Sequence, residues 1–81
     1  MDTRLAVIAI IVEDLKSAEA LNGLLHEYGK FVVGRMGVPC RQKGVSVISV
    51  ILDAPQNVIS ALSGKLGMLP GVTSKTLYAR V

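Results

Sequence analysis

Two segments of the chain are apolar at nearly every position, and they are the strongest signal in the sequence. The first runs from Leu5 to Val12 and the second from Val45 to Leu52, where only Ser46 and Ser49 interrupt it. Side chains alternate between the two faces of a strand, so each segment predicts a strand that is apolar on both faces. Such strands lie in the middle of a sheet, and we expect other parts of the protein or a second subunit to cover both of their faces.

A helical pattern follows each apolar segment. Asp14 is the predicted N-cap of the first helix, which is expected to end near Gly29. Pro55 suits the first turn of the second helix, and Gly67 its end. The apolar positions at helical spacing are Ala18, Leu21, Leu24, Leu25 and Tyr28 in the first helix, and Val58, Ile59, Leu62 and Leu66 in the second.

The remaining segments are more polar and predict edge strands. Phe31 to Gly37 predicts a strand, and Val38 to Gly44 predicts the loop of a hairpin. A last strand is expected over Val72 to Val81, after a turn at Pro70 and Gly71. The order βαββαβ with right-handed crossovers predicts an α+β, ferredoxin-like sandwich. Its four-stranded antiparallel sheet would carry both helices on one face.

Composition narrows the class of protein. The 81 residues are 51% hydrophobic and predict one domain over residues 1–81, close to the size at which association helps stability. We therefore expect a homo-oligomer, a dimer or tetramer joined through the bare sheet face.

The longest apolar segment is far short of the roughly 20 residues that span a membrane. One cysteine and no signal-peptide pattern favour a cytoplasmic protein without membrane attachment.

The charge pattern argues against direct binding to nucleic acid. The net charge is +3, but the basic residues are dispersed and form no continuous stripe. The aromatic residues are only Tyr28, Phe31 and Tyr78, which are too few for a stacking surface. Any effect on DNA would require a partner protein.

The segment from Gly34 to Gly44 concentrates the unusual residues. Arg35 and Arg41 carry forked donors suited to a carboxylate or phosphate, and Gly34 and Gly37 allow a close approach to the backbone around Met36. The alternative is a bulged edge strand whose charges deter aggregation.

The first strand-to-helix junction is the other candidate ligand site. Glu13 and Asp14 lie where the amides of a helix begin, so they either cap those amides or border a small-molecule site at a subunit interface.

No catalytic constellation and no cofactor site is predicted. Nucleophile, base and oxyanion donors do not group in the sequence, so we expect a protein that is not an enzyme. Cys40 is the only cysteine and His26 the only histidine, and a metal site would need three or four ligands gathered across an oligomer. A metal carrier or enzyme built on these two residues is the weakest hypothesis.

Four stretches together carry a resemblance to a known family: IIVE at 10–13, LLHEYG at 24–29, GRMGVP at 34–39 and LSGKLGMLPGV at 62–72. The chain resembles the iron-only hydrogenase system regulators over nearly its whole length. That family is similar to ACT domains and to the regulatory domain of the nickel-responsive repressor. The resemblance implies an ACT-like regulatory domain, assembly through the sheets and a small effector, such as an amino acid, at a subunit interface.

Two functional hypotheses follow. The first is a non-catalytic regulator of an iron-only hydrogenase system that binds a small anionic ligand near the first strand-to-helix loop and Gly34 to Gly37. The second is a scaffolding or assembly subunit for the maturation of a metalloenzyme, which acts through a protein partner without a small ligand.

Overall fold

The first strand lies at the centre of the sheet, as its two apolar faces predict. The computed structural model describes residues 2–80, in which β1 spans Arg4–Val12 and β3 spans Val45–Ala54. These two strands pair antiparallel along their whole length, with Ile8 opposite Val50. The strand order is β2-β3-β1-β4, so the first and third strands are central and the second and fourth are edges, which confirms the predicted arrangement.

One face of the sheet carries the core. Alternate residues of the two central strands are buried against the helices, whereas the residues between them face the opposite side. Helix α2 spans Gln56–Gly67 and ends at the predicted glycine. The buried apolar residues of the strands are Ala6, Ile8, Ile10, Val12, Ile48, Val50, Leu52, Ala54 and Val72, and those of the helices are Leu21, Leu25, Ile59, Leu62 and Leu66.

The first helical segment is shorter and less regular than predicted. A 3-10 turn over Leu15–Ser17 precedes α1, which spans Ala18–Glu27, and a second 3-10 turn follows over Gly29–Phe31. Asp14 does cap the segment, because its Oδ1 accepts a hydrogen bond of 3.0 Å from the Lys16 amide. The α-helix ends before Gly29, where the Tyr28 amide closes the last turn onto the Leu24 carbonyl at 3.1 Å.

The second strand is longer than the sequence suggested. Strand β2 spans Val32–Cys40, so the predicted loop from Val38 shrinks to the turn at residues 41–44. Proline inside the segment favoured a loop, but β2 is an edge strand in which the missing amide of Pro39 breaks no ladder hydrogen bond that the sheet needs. A register shift between Val32 and Gly34 marks the bulge at its start.

Strand β4 completes the sheet and spans Val72–Tyr78, antiparallel to β1. The strand ends at Tyr78, so Ala79 and Arg80 lie beyond it although the prediction included them, and the predicted end at Val81 lies outside the described residues. The fold is therefore the predicted α+β sandwich of the ferredoxin-like type, with both helices on one side of a four-stranded sheet. Neither α1 nor α2, the two α-helices of residues 2–80, is long and apolar enough to cross a membrane.

Candidate functional site

A groove lies between α1 and the edge strand β2, on the helix side of the sheet. Arg35 is paired with the buried Val50, which places both side chains on this side. The Arg35 guanidinium reaches α1, where its Nη2 donates a hydrogen bond of 3.0 Å to Oδ1 of Asn22. One strand and one helix therefore hold the cationic group at the rim of the groove.

Apolar side chains form the floor and walls of this groove, which has a volume of about 220 Å³. Val12, Leu21 and Ile48 are buried beneath it. Gly37 leaves part of its wall open, because a Cβ built there would come no nearer than 3.7 Å to Cγ1 of Ile48. The full lining is Val12, Ala18, Leu21, Asn22, Arg35, Gly37, Val38, Pro39, Ser46 and Ile48.

Arg41 lies apart from Arg35, in the turn that joins β2 to β3. It lines a second depression, of about 210 Å³, together with Leu15 and Cys40. This depression and the groove share Pro39 and Ser46 along their border, so the two adjoin at the hairpin end of the sheet.

The first strand-to-helix junction is occupied by contacts within the protein. The Glu13 amide donates to the Gly71 carbonyl at 2.7 Å, and Gly71 packs directly against Asp14. The Asp14 carboxylate accepts from the Lys16 amide. This junction shows the capping arrangement, and neither Glu13 nor Asp14 lines the groove beside Arg35.

The other two residues of the predicted site face away from the groove. Gly34 is paired with Ile51 and Met36 with Ser49, and these partners lie on the sheet face that no helix covers. Of the predicted ligand residues, the structure thus brings Arg35 and Gly37 together. It separates Gly34 and Met36 from them, across the sheet.

We call the uncovered side the open sheet face. It carries alternate residues of all four strands, and about half of these are large apolar side chains, such as Met36, which is 66% exposed, and Leu77, which is 70% exposed. An apolar depression of about 260 Å³ lies at one end, lined in part by Leu5, Ile51 and Leu77. The large apolar members of the face are Leu5, Val7, Ile11, Met36, Val38, Val47, Ile51 and Leu77.

Sequence reasoning missed two groove residues, Asn22 and Ser46. Asn22 is exposed on α1 one position after the buried Leu21, where helical periodicity gives it no special role. Ser46 did carry a signal, because it interrupts an otherwise apolar strand, and its side chain borders the groove.

The candidate metal ligands do not meet in one chain. His26 lies in the last turn of α1, whereas Cys40 lies at the end of β2, half-buried and paired with Val45. Within residues 2–80, no three His, Cys, Asp or Glu side chains are grouped so that they could hold a metal ion.

One titratable group outside the groove is clearly perturbed. The Lys65 ammonium of α2 lies 5.1 Å from the centre of the Tyr28 ring at the end of α1. Hydrogen bonding with the Tyr28 hydroxyl, and then attraction to Tyr28 and Glu27, raises the pKa of Lys65. This contact joins the two helices and leaves the groove untouched.

Fold and surface together define a class: a ferredoxin-like, ACT-like module with one apolar sheet face and a small groove at its edge. Within that class, the chain belongs to the TM1266-like family, whose description reads "Iron-only hydrogenase system regulator, putative" and whose profile matches residues 4–76. No curated protein matches the chain.

Solved structures agree with this assignment. The chain is similar to the uncharacterized protein TM1266 from Thermotoga maritima, with 32% identity and a TM-score of 0.94 over 98% of this chain and 100% of that one. The C-terminal domain of MgtC from Mycobacterium tuberculosis is 12% identical, with a TM-score of 0.74 over 95% and 88% of the two chains. Apo CPII, a nitrogen regulatory PII-like protein from Thiomonas intermedia K12, is 20% identical, with a TM-score of 0.52 over 94% and 91%. The last two comparisons show the fold alone.

Proposed function

We propose that this protein is a non-catalytic regulator that self-associates through the open sheet face and binds a small anionic ligand beside Arg35. The family description supports a regulatory role in an iron-only hydrogenase system. The observation that carries the proposal is the exposure of large apolar side chains of all four strands on the sheet face that no helix covers. Soluble monomers seldom expose contiguous apolar patches larger than a few hundred Å².

The size of the open sheet face suits a second copy of the chain. Four strands spaced about 4.8 Å apart, with seven to ten residues each at about 3.3 Å, cover roughly 500 Å² in plan. Two such faces would bury about 1,000 Å² in total, the lower bound for a specific interface. If about 400 Å² of apolar surface per copy is removed from water, the gain is on the order of 10 kcal/mol per copy before the cost of association.

The apolar centre of the open sheet face favours contact with the same face of a second copy over contact with a charged partner protein. The charged side chains on this side are Asp53, at the end of β3, and Lys75, on the edge strand β4, whereas the middle positions of the two central strands are Val7, Ala9, Ser49 and Ile51. A two-fold contact places the same patch on both copies, which an apolar centre tolerates because it brings no like charges together.

Strand β2 links the groove to the open sheet face. Successive residues of a strand point to opposite sides, so Arg35 and Gly37 face the groove while Gly34, Met36 and Val38 face away. A ligand that fixes Arg35 would therefore also fix the edge of the association surface. Such a ligand changes the assembly only if it binds one arrangement of subunits more tightly than another.

The ligand part of the proposal is tested by calorimetry and sedimentation on the full chain. Inorganic phosphate, bicarbonate, acetate, the common amino acids and nucleotides would be titrated into folded protein, and each binder would be added during sedimentation velocity. We expect heat from at least one small anion and a shift in the association equilibrium with that anion. Uniformly absent heats from a folded sample would contradict ligand sensing.

The structure of CPII bears on which of these anions to expect. A PII-like relative of the same fold has been solved with ADP, AMP and bicarbonate bound. The groove beside Arg35 has one guanidinium and no aromatic side chain in its lining, so it suits a smaller anion better than a nucleotide.

A further inference from the structure

The charges around the groove beside Arg35 limit the chemical class of ligand that it can bind. Among the residues that line it, Arg35 is the one that is charged at neutral pH, and no carboxylate lies in the lining. Arg35 would balance the charge of a ligand that carries one negative charge. An additional ammonium group would lie near the Arg35 guanidinium with no carboxylate in the lining to balance it, which is unfavourable.

The polar groups left for a ligand are few but well suited to an oxyanion. One guanidinium nitrogen of Arg35 already donates to Asn22, which leaves further N–H donors of the same planar group for a carboxylate. Ser46, on the neighbouring strand, adds a hydroxyl to the lining. The oxygen of Asn22 already accepts one hydrogen bond from Arg35, and no carboxylate lies in the lining to receive an ammonium group.

The rest of the lining calls for an aliphatic group of limited size. Val12, Leu21 and Ile48 are buried beneath the groove, and Pro39 of β2 borders it on the outer side. The volume of about 220 Å³ is below the roughly 300 Å³ at which pockets for drug-sized ligands begin. No aromatic ring lines the groove to stack on a base.

From these observations we infer that the groove takes a short, branched or linear aliphatic monocarboxylate that carries no ammonium group. The carboxylate would bind the Arg35 guanidinium, and the tail would lie over Leu21 and Ile48. This inference rests on the proposed function, because it specifies the anion of the same site. It separates simple and 2-oxo acids from the α-amino acids that the family resemblance implies.

Two compounds with one carbon skeleton test the inference. Valine is 3-methylbutanoate with an ammonium group at carbon 2, so the pair differs in that group alone. Both would be titrated into ¹⁵N-labelled full-length protein at matched ionic strength, with amide shifts recorded at each step. We expect 3-methylbutanoate to bind with a Kd at least tenfold lower than that of valine, and to shift the amides of Gly37, Val38 and Ser46.

Arg35 and Arg41 provide a matched pair of variants. Arg35→Gln should raise the Kd for 3-methylbutanoate at least tenfold, because the charge-assisted contact is lost. Arg41→Gln removes the same charge from the same hairpin, outside the groove, and should change the Kd by less than twofold. A third variant, Gly37→Val, should block the groove without removing charge, and the amide spectrum verifies that each variant is folded.

The outcomes distinguish the ligand class from the regulatory role. Valine binding as tightly as 3-methylbutanoate, or equal losses in Arg35→Gln and Arg41→Gln, would overturn the monocarboxylate assignment. If another ligand, such as phosphate or valine, binds through Arg35 and shifts the assembly, the regulatory proposal stands and only the ligand class is wrong. If no anion binds and the protein is a monomer, the proposed function fails as well.

Discussion

Gly71 shows how one residue fixes the approach of two loops. It precedes β4, has φ of +67°, and a Cβ built on it would lie 2.5 Å from Cβ and 2.8 Å from the amide nitrogen of Asp14. Its carbonyl also accepts the Glu13 amide at 2.7 Å. The turn before β4 is thereby held against the start of the first helical segment.

Gly71→Ala is expected to be costly, and Gly44 supplies a control. Gly44 has nearly the same φ of +66°, but a Cβ there would contact nothing within 4 Å. Gly44→Ala should lower the free energy of unfolding by about 1 to 2 kcal/mol, from backbone strain alone. Gly71→Ala should cost about 2 to 5 kcal/mol, because steric overlap is added to that strain. Urea unfolding measures both, and equal losses would refute the close packing on Asp14.

Ser17 supports the same junction with a buried hydrogen bond. Its side chain is 5% exposed, and its Oγ donates to the Pro70 carbonyl at 2.6 Å. Ser17→Ala leaves that carbonyl without this donor and should destabilise the protein by about 1 to 3 kcal/mol. Ser60→Ala, at an exposed position, should stay within about 0.5 kcal/mol of the parent. Thermal unfolding of the two variants compares them, and similar melting temperatures would count against the role of Ser17.

At the scale of elements, Gln56 ties the start of α2 to β1 and β4. Its Oε1 accepts from Arg4 at 2.6 Å, and its Nε2 donates to the Tyr78 hydroxyl at 2.7 Å. The Arg4 guanidinium also lies 4.2 Å from the centre of the Tyr78 ring. The three residues therefore connect the ends of a central strand, an edge strand and a helix.

We expect Gln56→Ala to reduce the free energy of unfolding by about 0.5 to 1.5 kcal/mol, because these hydrogen bonds are exposed and exchange with water. Gln42 lies in the β2–β3 turn, and Gln42→Ala should change the free energy of unfolding by less than about 0.5 kcal/mol. Chemical denaturation followed by circular dichroism gives both values. A neutral Gln56→Ala would mean that the three elements hold together without this cluster.

The elements were predictable from sequence where a pattern of burial repeats along one segment. Doubly apolar strands and helical spacing gave the βαββαβ order, and the polar second and fourth strands gave the edges. The extent of β2 was not predictable in this way, because Pro39 is compatible with a strand only when that strand lies at an edge. Likewise, the partner of Arg35 depends on how α1 crosses the sheet, so the distant Asn22 could not be inferred from spacing.

At the scale of the whole molecule, the sheet has one side packed by helices and one side exposed. Ile8, Val50 and their neighbours on the helix side are fully buried, whereas Ile51 on the opposite side of the same strand is 41% exposed. The strands carry large apolar side chains on both sides. The simplest explanation is that a second layer of protein covers the open sheet face. We propose that this layer is another copy of the chain.

Substitutions at Ile51 and Met68 test whether association depends on the open sheet face or on exposed apolar side chains in general. Ile51 lies near the centre of the open sheet face, whereas Met68 follows α2, off the sheet, and is 83% exposed. Ile51→Lys should weaken association by at least a hundredfold, because it buries an unpaired charge in an apolar contact. Met68→Lys should leave the association unchanged, although it removes the more exposed apolar group. Circular dichroism establishes that both variants keep their fold.

The most direct test is the molar mass of the full chain in solution, measured by sedimentation equilibrium from low micromolar to millimolar concentration. We expect a mass of at least two chains for the parent and for Met68→Lys, and the mass of one chain for folded Ile51→Lys. A parent protein that stays at the mass of one chain across this range would contradict the central claim that the open sheet face is an association surface.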